Sequence, residues 1–129
     1  MKNEIVQEWI KKAENDLLNA KTVIKITNPP TDTICFHAQQ CAEKYLEAFL
    51  ISKDKEIIRT HNLRFLLEEC KEFSEDFEIL REEAIILNSY SIETRYPGDF
   101  IEYTVEEVQR AIEMGEKIKK NIVKKMEEK

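Results

Sequence analysis

The sequence predicts an all-α protein, a five-helix up-and-down antiparallel bundle, on three observations. The 129 residues include only two Gly and three Pro, too few for the many turns of an all-β fold. Charged residues make up 36% of the chain and are mostly Glu and Lys, which favour helix. Apolar residues recur at steps of three and four in successive segments, as expected of helices with one buried face. The length is that of one domain, and we assign residues 1–129 to it.

The first two helices are predicted from their apolar stripes and from the prolines between them. The first helix should end before Asn28, because a residue that precedes proline is pushed out of the helical conformation. Thr31 or Asp32 is a candidate N-cap for the second helix. The stripe of the first helix consists of Ile5, Trp9, Ala13, Leu17, Ala20 and Ile24. That of the second consists of Cys35, Ala38, Ala42, Tyr45, Leu46, Phe49 and Leu50, with Gln39, Glu43, Lys44 and Glu47 away from its centre.

Capping residues mark the other three helices. Thr60 or Asn62 precedes a short third helix, and Ser74 precedes a fourth. Thr104 and Glu107 form a Thr-x-x-Glu capping box at the start of the fifth. The predicted inward residues are Leu63, Leu66, Leu67 and Cys70, then Phe77, Leu80, Ala84, Leu87 and Ser91, then Val105, Val108, Ile112, Gly115, Ile118 and Ile122.

Some apolar residues of the second and fifth helices lie outside a single stripe, namely Ile34, Phe36 and Val123. One interpretation is that the periodicity is imprecise. The other is that a second apolar face pairs with another copy of the chain in a two-fold homodimer. The sequence leaves both open.

Composition restricts the classes of function. A net charge of −6 argues against a broad basic surface for nucleic acid but leaves room for a local basic pocket. No apolar run approaches the roughly 20 residues of a membrane span, and the N-terminus lacks the apolar core of a signal peptide. We therefore expect a cytoplasmic protein with no membrane partner. The Glu and Lys bias is also found in hyperthermophilic proteins.

Motifs for common cofactors are missing. The sequence has no glycine-rich phosphate loop, which excludes a P-loop or Rossmann nucleotide site. The two histidines, His37 and His61, lie on different elements without the spacing of metal ligands on one helix. Cys35, Cys41 and Cys70 are odd in number and lack CxxC spacing, which favours core thiols in a reducing compartment. We predict neither a metal nor another cofactor.

Two polar features of the helices are candidates for a binding site. His37, Gln40 and Lys44 are spaced three and four residues apart, so they share one face of the second helix. Such a strip either binds a phosphate or base or is an ordinary solvated surface. His61, before the third helix, either braces that helix or forms an anion or proton-transfer site. Cys41 lies one turn from His37, but a thiol beside the core stripe favours packing over catalysis.

The segment after the fourth helix contains Arg95, Tyr96, Pro97 and Gly98. Pro and Gly account for a turn between two helices. The turn does not require Arg95 or Tyr96, so these two side chains are functional candidates.

The chain resembles the HEPN domains, the higher-eukaryote and prokaryote nucleotide-binding group. The resemblance rests on the order and spacing of four short motifs, which are Ala13-Glu14-Asn15-Asp16-Leu17, Phe36-His37-Ala38-Gln39-Gln40-Cys41-Ala42-Glu43-Lys44, Thr60-His61-Asn62-Leu63 and Arg95-Tyr96-Pro97. It implies a helical bundle that forms a homodimer, binds nucleotide or RNA, and is encoded beside or fused to a small nucleotidyltransferase.

Many members of this family are metal-independent endoribonucleases, in which an Arg is followed after four to six residues by a His. The resemblance implies that the His does acid/base chemistry and that the Arg steadies the phosphate. In this chain Arg95 is present, but the three positions for the His are occupied by Phe100, Ile101 and Glu102. The incomplete motif favours a non-catalytic or weakly catalytic binding protein over a functioning ribonuclease.

The leading hypothesis is a protein that binds a nucleotide or RNA end and partners a small nucleotidyltransferase in a two-gene, toxin–antitoxin-like system. Arg95 would grip phosphate and Tyr96 would stack or hydrogen-bond. The cleft would be lined by His61, Lys44, His37 and Gln40. One alternative is an endoribonuclease toxin that uses Arg95 with His61. Another is a purely structural interaction partner.

Overall fold

The computed structural model describes residues 2–56, 59–90 and 102–128, and every regular element in these ranges is a helix. The helices are α1 (Lys2–Val23), α2 (Thr31–Ser52), α3 (Leu63–Lys71), α4 (Arg81–Asn88) and α5 (Val105–Glu127), and a 3₁₀ helix (Glu75–Leu80) leads into α4. This confirms the predicted all-α bundle. None of the helices in the described ranges combines the length and apolarity needed to cross a membrane.

The helix at the centre of the bundle is α2, which packs against α1, α3, α4 and α5. Most of its residues are therefore buried, including polar ones. Gln39, Glu43 and Glu47 were expected away from the apolar stripe, but all three are buried. A position away from the stripe therefore does not mean exposure here, because a helix with neighbours on several sides has little solvated face.

The connection between α1 and α2 differs from the prediction in detail. The first helix ends at Val23, before the proline pair, and turns lead to Asn28, whose φ is positive at 51°. Pro30 occupies the N-cap position of α2 and makes no side-chain cap bond. Asp32 Oδ1 instead accepts the Thr33 N–H at 2.9 Å, so neither predicted residue is the N-cap.

The other predicted caps are present. Asn62 Oδ1 accepts the N–H groups of Arg64 and Phe65 at the start of α3. Thr104 and Glu107 make both bonds of the capping box before α5. Ser74 is also a cap, but the element it starts is the 3₁₀ helix rather than α4 itself.

The core contains nearly all of the predicted inward residues. Ile5 and Val105 are exceptions, with 42% and 50% of their surface exposed, and Val6 is buried in place of Ile5. Ile34 is fully buried within this chain, so its apolar character does not require a second subunit. The prediction for Ser91 falls outside the described residues.

Candidate functional site

Two of the predicted site residues on α2 meet a carboxylate of α1. Asp16, which is buried, lies with Oδ1 2.8 Å from His37 Nδ1 and accepts a hydrogen bond from Lys44 Nζ to Oδ2 at 2.5 Å. An ionised carboxylate only accepts hydrogen bonds, so His37 Nδ1 carries the proton in this contact. The interaction fixes both side chains on the same part of the α2 surface, as their spacing predicted.

A second carboxylate of α2 holds the predicted His61. Glu43 is buried, and its Oε1 lies 2.9 Å from His61 Nδ1. Gln39 Nε2 donates to both Glu43 Oε1 and the His61 carbonyl, each at 3.3 Å. Gln40 Nε2 in turn donates to Gln39 Oε1 at 2.8 Å. The loop before α3 is thus attached to α2 through the ring and the backbone of one histidine.

The His61 side chain combines this attachment with exposure, since 47% of its surface is open to solvent. A carboxylate that orients an imidazole and stabilises its charged form is a recurring arrangement for binding anions and exchanging protons. The structure supports these two chemistries at His61.

The chain before and after segment 91–101 lies at the same end of the bundle. The rings of Tyr90 and Tyr103 meet edge to face with centroids 5.0 Å apart, and burial raises the pKa of the Tyr90 hydroxyl to about 12. Asn88 Oδ1 accepts the Leu63 N–H at 2.9 Å, and Thr31 Oγ1 accepts the Tyr103 N–H at 3.0 Å. The flank before the segment is therefore attached at the start of α3, which follows His61, and the flank after it at the start of α2.

Arg95 and Tyr96 themselves lie outside the described residues. The structure consequently brings together His37 with Lys44, and His61 with Glu43, Gln39 and, through Gln39, Gln40. The roles proposed for Arg95 and Tyr96 stay predictions.

Cysteine chemistry has little support in the described part of the chain. Cys35, Cys41 and Cys70 are buried, and none of the three is in a disulfide. Burial raises the pKa of the Cys41 thiol to about 12, and the nearby His37 directs Nδ1 at Asp16 instead. Within the same ranges, no group of three or more His, Cys, Asp or Glu residues is arranged to hold a metal ion.

Sequence reasoning did not assign site roles to Asp16, Gln39 or Glu43. Asp16 lies 21 residues before His37 in the chain, and no local pattern indicates that pairing. Gln39 and Glu43 are four residues apart and contact each other, as polar residues on one helix face do. Their spacing was therefore the one available signal, but it did not show that the face is buried.

The comparisons with known proteins agree with this architecture. TT1696 from Thermus thermophilus has a solved structure that superposes with a TM-score of 0.81, at 27% identity, over 93% of this chain and 97% of that one. ST0689, described as an archaeal HEPN homologue, superposes with a TM-score of 0.76, at 26% identity, over 95% of this chain and 98% of its own. No curated protein matches the sequence. The family model of the HEPN domain matches residues 6–126, and the chain therefore belongs to the HEPN domain family.

Proposed function

We propose that this HEPN protein binds a nucleotide or RNA end at the bundle end that carries His61, and that it acts as partner of a small nucleotidyltransferase. The observation that carries the proposal is the half-exposed His61 ring, held by the buried Glu43 through Nδ1 at 2.9 Å. A fixed, partly exposed imidazole is suited to a phosphate oxygen, which accepts hydrogen bonds and carries negative charge.

Arg95 and Tyr96 belong to the proposed site because of how their segment is attached. The flanks of residues 91–101 are bonded near the start of α3 and the start of α2. This attachment supports a role for Arg95 beside His61, as a planar cation that grips phosphate with two hydrogen bonds. Tyr96 would stack on a base or hydrogen-bond to the sugar.

Lys44, His37 and Gln40 are proposed to extend the site along α2. Lys44 and His37 share Asp16, so the positive charge of Lys44 is partly compensated. They would steer and position a phosphate chain rather than bind it alone. The chain as a whole has a net charge of −6 and does not attract phosphate. The attraction therefore has to come from a local group of side chains such as this one.

The test is a titration of the full chain with fluorescently labelled single-stranded RNA and, separately, with ATP by calorimetry. Arg95→Ala should weaken binding about 10- to 100-fold, the effect of losing a charge-assisted hydrogen bond of about 1.5–3 kcal/mol. Lys120→Ala, which removes one charge from an exposed position of α5, should bind as wild type. Wild-type protein that binds neither probe would refute the binding function.

Partnership with a nucleotidyltransferase is tested separately. The neighbouring open reading frame should encode a small nucleotidyltransferase, and the two proteins should co-purify as a complex when expressed together. The homodimer implied by the resemblance would be seen by analytical ultracentrifugation of the chain alone. A neighbouring gene of another class and no complex with any nucleotidyltransferase would remove this part of the proposal.

A second function is favoured by the Glu43–His61 hydrogen bond, namely metal-independent endoribonuclease activity with Arg95. An oriented imidazole can take the proton of a ribose 2′-hydroxyl as it attacks the adjacent phosphate. The bond from phosphorus to the 5′-oxygen of the next nucleotide then breaks, and that oxygen leaves with a proton from water or from the imidazolium, giving a 2′,3′-cyclic phosphate. RNA cleavage in the presence of a chelator should then be lost in His61→Ala and reduced in Glu43→Gln, while Lys120→Ala keeps it. Highly purified wild-type protein that leaves RNA intact would exclude this function.

A further inference from the structure

A cleft of about 440 Å³ opens at the N-terminal end of α3, which begins two residues after His61. Asn62, the residue after His61, forms part of its wall. The complete lining is Asn62, Arg64, Phe65, Glu68, Arg81 and Asn88. The cleft is within the volume range of small-molecule sites and combines an aromatic ring, two guanidinium groups and two amides. None of these residues belongs to the phosphate site proposed above.

Phe65 is the aromatic side chain of this cleft, and 46% of it is exposed. Phe65 is not part of the face of α3 that packs into the core, which consists of Leu63, Leu66, Leu67 and Cys70. By contrast, Phe49 and Phe77 pack edge to face on each other in the interior. An exposed ring in a polar cleft is a platform on which a nucleobase can stack.

The charge of the cleft comes from Arg64. Arg81 is already engaged, since its guanidinium is paired with both Glu68 and Glu78. Arg64 makes no ion pair with any residue in the described ranges. Its guanidinium is exposed and can neutralise a phosphate next to the stacked base.

The backbone N–H groups at the start of α3 are not the groups that bind a ligand, because side-chain oxygens already accept their hydrogen bonds. Asn62 Oδ1 accepts the N–H groups of Arg64 and Phe65, and Asn88 Oδ1 accepts that of Leu63. The chemistry that the cleft offers to a ligand is therefore that of the Phe65 ring, the Arg64 guanidinium and the edges of the two amides.

We infer that this cleft binds the nucleobase adjacent to the phosphate held at His61, so that the ligand is single-stranded RNA rather than a lone nucleotide. Phe65 stacks on the base and Arg64 binds the next phosphate along the strand. The inference rests on the proposed function, because the strand enters the cleft from the His61 site. Unstacked bases of single strands suit such a platform, whereas bases within a duplex are unable to reach it.

The test measures fluorescence anisotropy of labelled oligoadenylate and oligouridylate with the full chain. Phe65→Leu keeps the apolar volume but removes the ring, and should weaken binding of oligoadenylate about tenfold, within the range for one stacked base. Phe65→Trp should bind at least as well as wild type. Arg64→Gln should weaken both oligonucleotides and reduce the salt dependence of binding, whereas the exposed Lys120→Gln on α5 should change neither.

The outcomes separate the inference from the function on which it rests. If wild type binds RNA and Phe65→Leu binds it with the same affinity, the inference that the cleft binds a nucleobase is wrong. The proposed phosphate site at His61 is then unaffected. Failure of wild type to bind either oligonucleotide would refute both. If Phe65→Leu dissociates an oligomer in sedimentation and leaves RNA affinity unchanged, the surface is a protein contact and the inference is wrong.

Discussion

Replacing Gly115 by Ala should stabilise the protein, although this glycine lies against the central helix α2. Gly115 belongs to the buried face of α5. A Cβ atom built there would lie 3.6 Å from the Ala38 carbonyl oxygen and 4.0 Å from Cys41 Sγ. These are ordinary van der Waals distances, so the site has room for one methyl group without movement of either helix.

The magnitude follows from two contributions. An Ala in a helix interior is favoured over Gly by about 1 kcal/mol, and burial of one methyl group adds up to about 0.8 kcal/mol. Imperfect contact at the added methyl reduces this sum, so we expect the free energy of unfolding to rise by about 1 kcal/mol. For a chain of this length that corresponds to an increase in Tm of about 3–5 °C.

The assay is thermal and urea unfolding followed by circular dichroism, with a larger substitution as counterpart. Gly115→Leu adds atoms beyond the first methyl and should destabilise by about 1–3 kcal/mol, the usual cost of overpacking. Gly115→Ala should also leave RNA affinity unchanged. The added methyl group does not displace α2 at Ala38, so the neighbouring His37 and Gln39 stay in position. A Gly115→Ala protein less stable than wild type would show that the two helices lie closer than described and would refute the reasoning.

Three further predictions concern an ion-pair network, the thiols and a cap. Hydrogen bonds from Arg81 and Lys71 lower the pKa of Glu78 from 4.5 to about 2. The stabilisation from this carboxylate is therefore present above pH 4.5 and lost as the pH falls towards 2. Arg81→Ala should make stability less dependent on pH in that window, measured by unfolding at a series of pH values. Cys41, whose pKa burial raises to about 12, should resist alkylation in the native protein at neutral pH. Thr104→Ala should lower the free energy of unfolding by about 1 kcal/mol through loss of the α5 cap, measured by urea unfolding.

Each of these has a matched control. Arg64→Ala removes an arginine without an ion pair in the described ranges and should keep the wild-type pH dependence between pH 4.5 and 2. If the free energy of unfolding of Arg81→Ala falls between pH 4.5 and 2 as steeply as that of wild type, the proposed ion-pair network around Glu78 is wrong. Alkylation of Cys41 at the rate seen in denaturant would contradict its burial. Thr104→Ser keeps the hydroxyl and should retain most of the stability, so equal losses in the two variants would argue against capping.

Local features of the fold could be predicted from the sequence because their causes are local. Asn62 and Thr104 cap helices through bonds to N–H groups two or three residues away, and such pairs are visible as short motifs. Errors occurred where two local signals competed. Ile5 and Val6 are adjacent, and the 3.6-residue period could not decide which of them faces the core.

The buried polar residues of α2 needed information that periodicity does not contain. A hydrophobic stripe shows which face of a helix is apolar, but it does not show how many neighbours the helix has. Glu43 and Glu47 are buried because α3 and α4 also pack on α2. The same packing directs the Glu43 carboxylate at His61.

The sequence by itself determined an all-helical bundle of the HEPN family, the capping of α3 and α5, and the set of candidate residues from His37 to Arg95. Tertiary structure alone decided which carboxylate Lys44 and each histidine meet. Asp16 joins His37 and Lys44 across 21 and 28 residues of chain, and Glu43 joins His61 across 18. Such partners depend on how α1 and the start of α3 dock on α2, and that docking is set by the packing of many side chains rather than by any local motif.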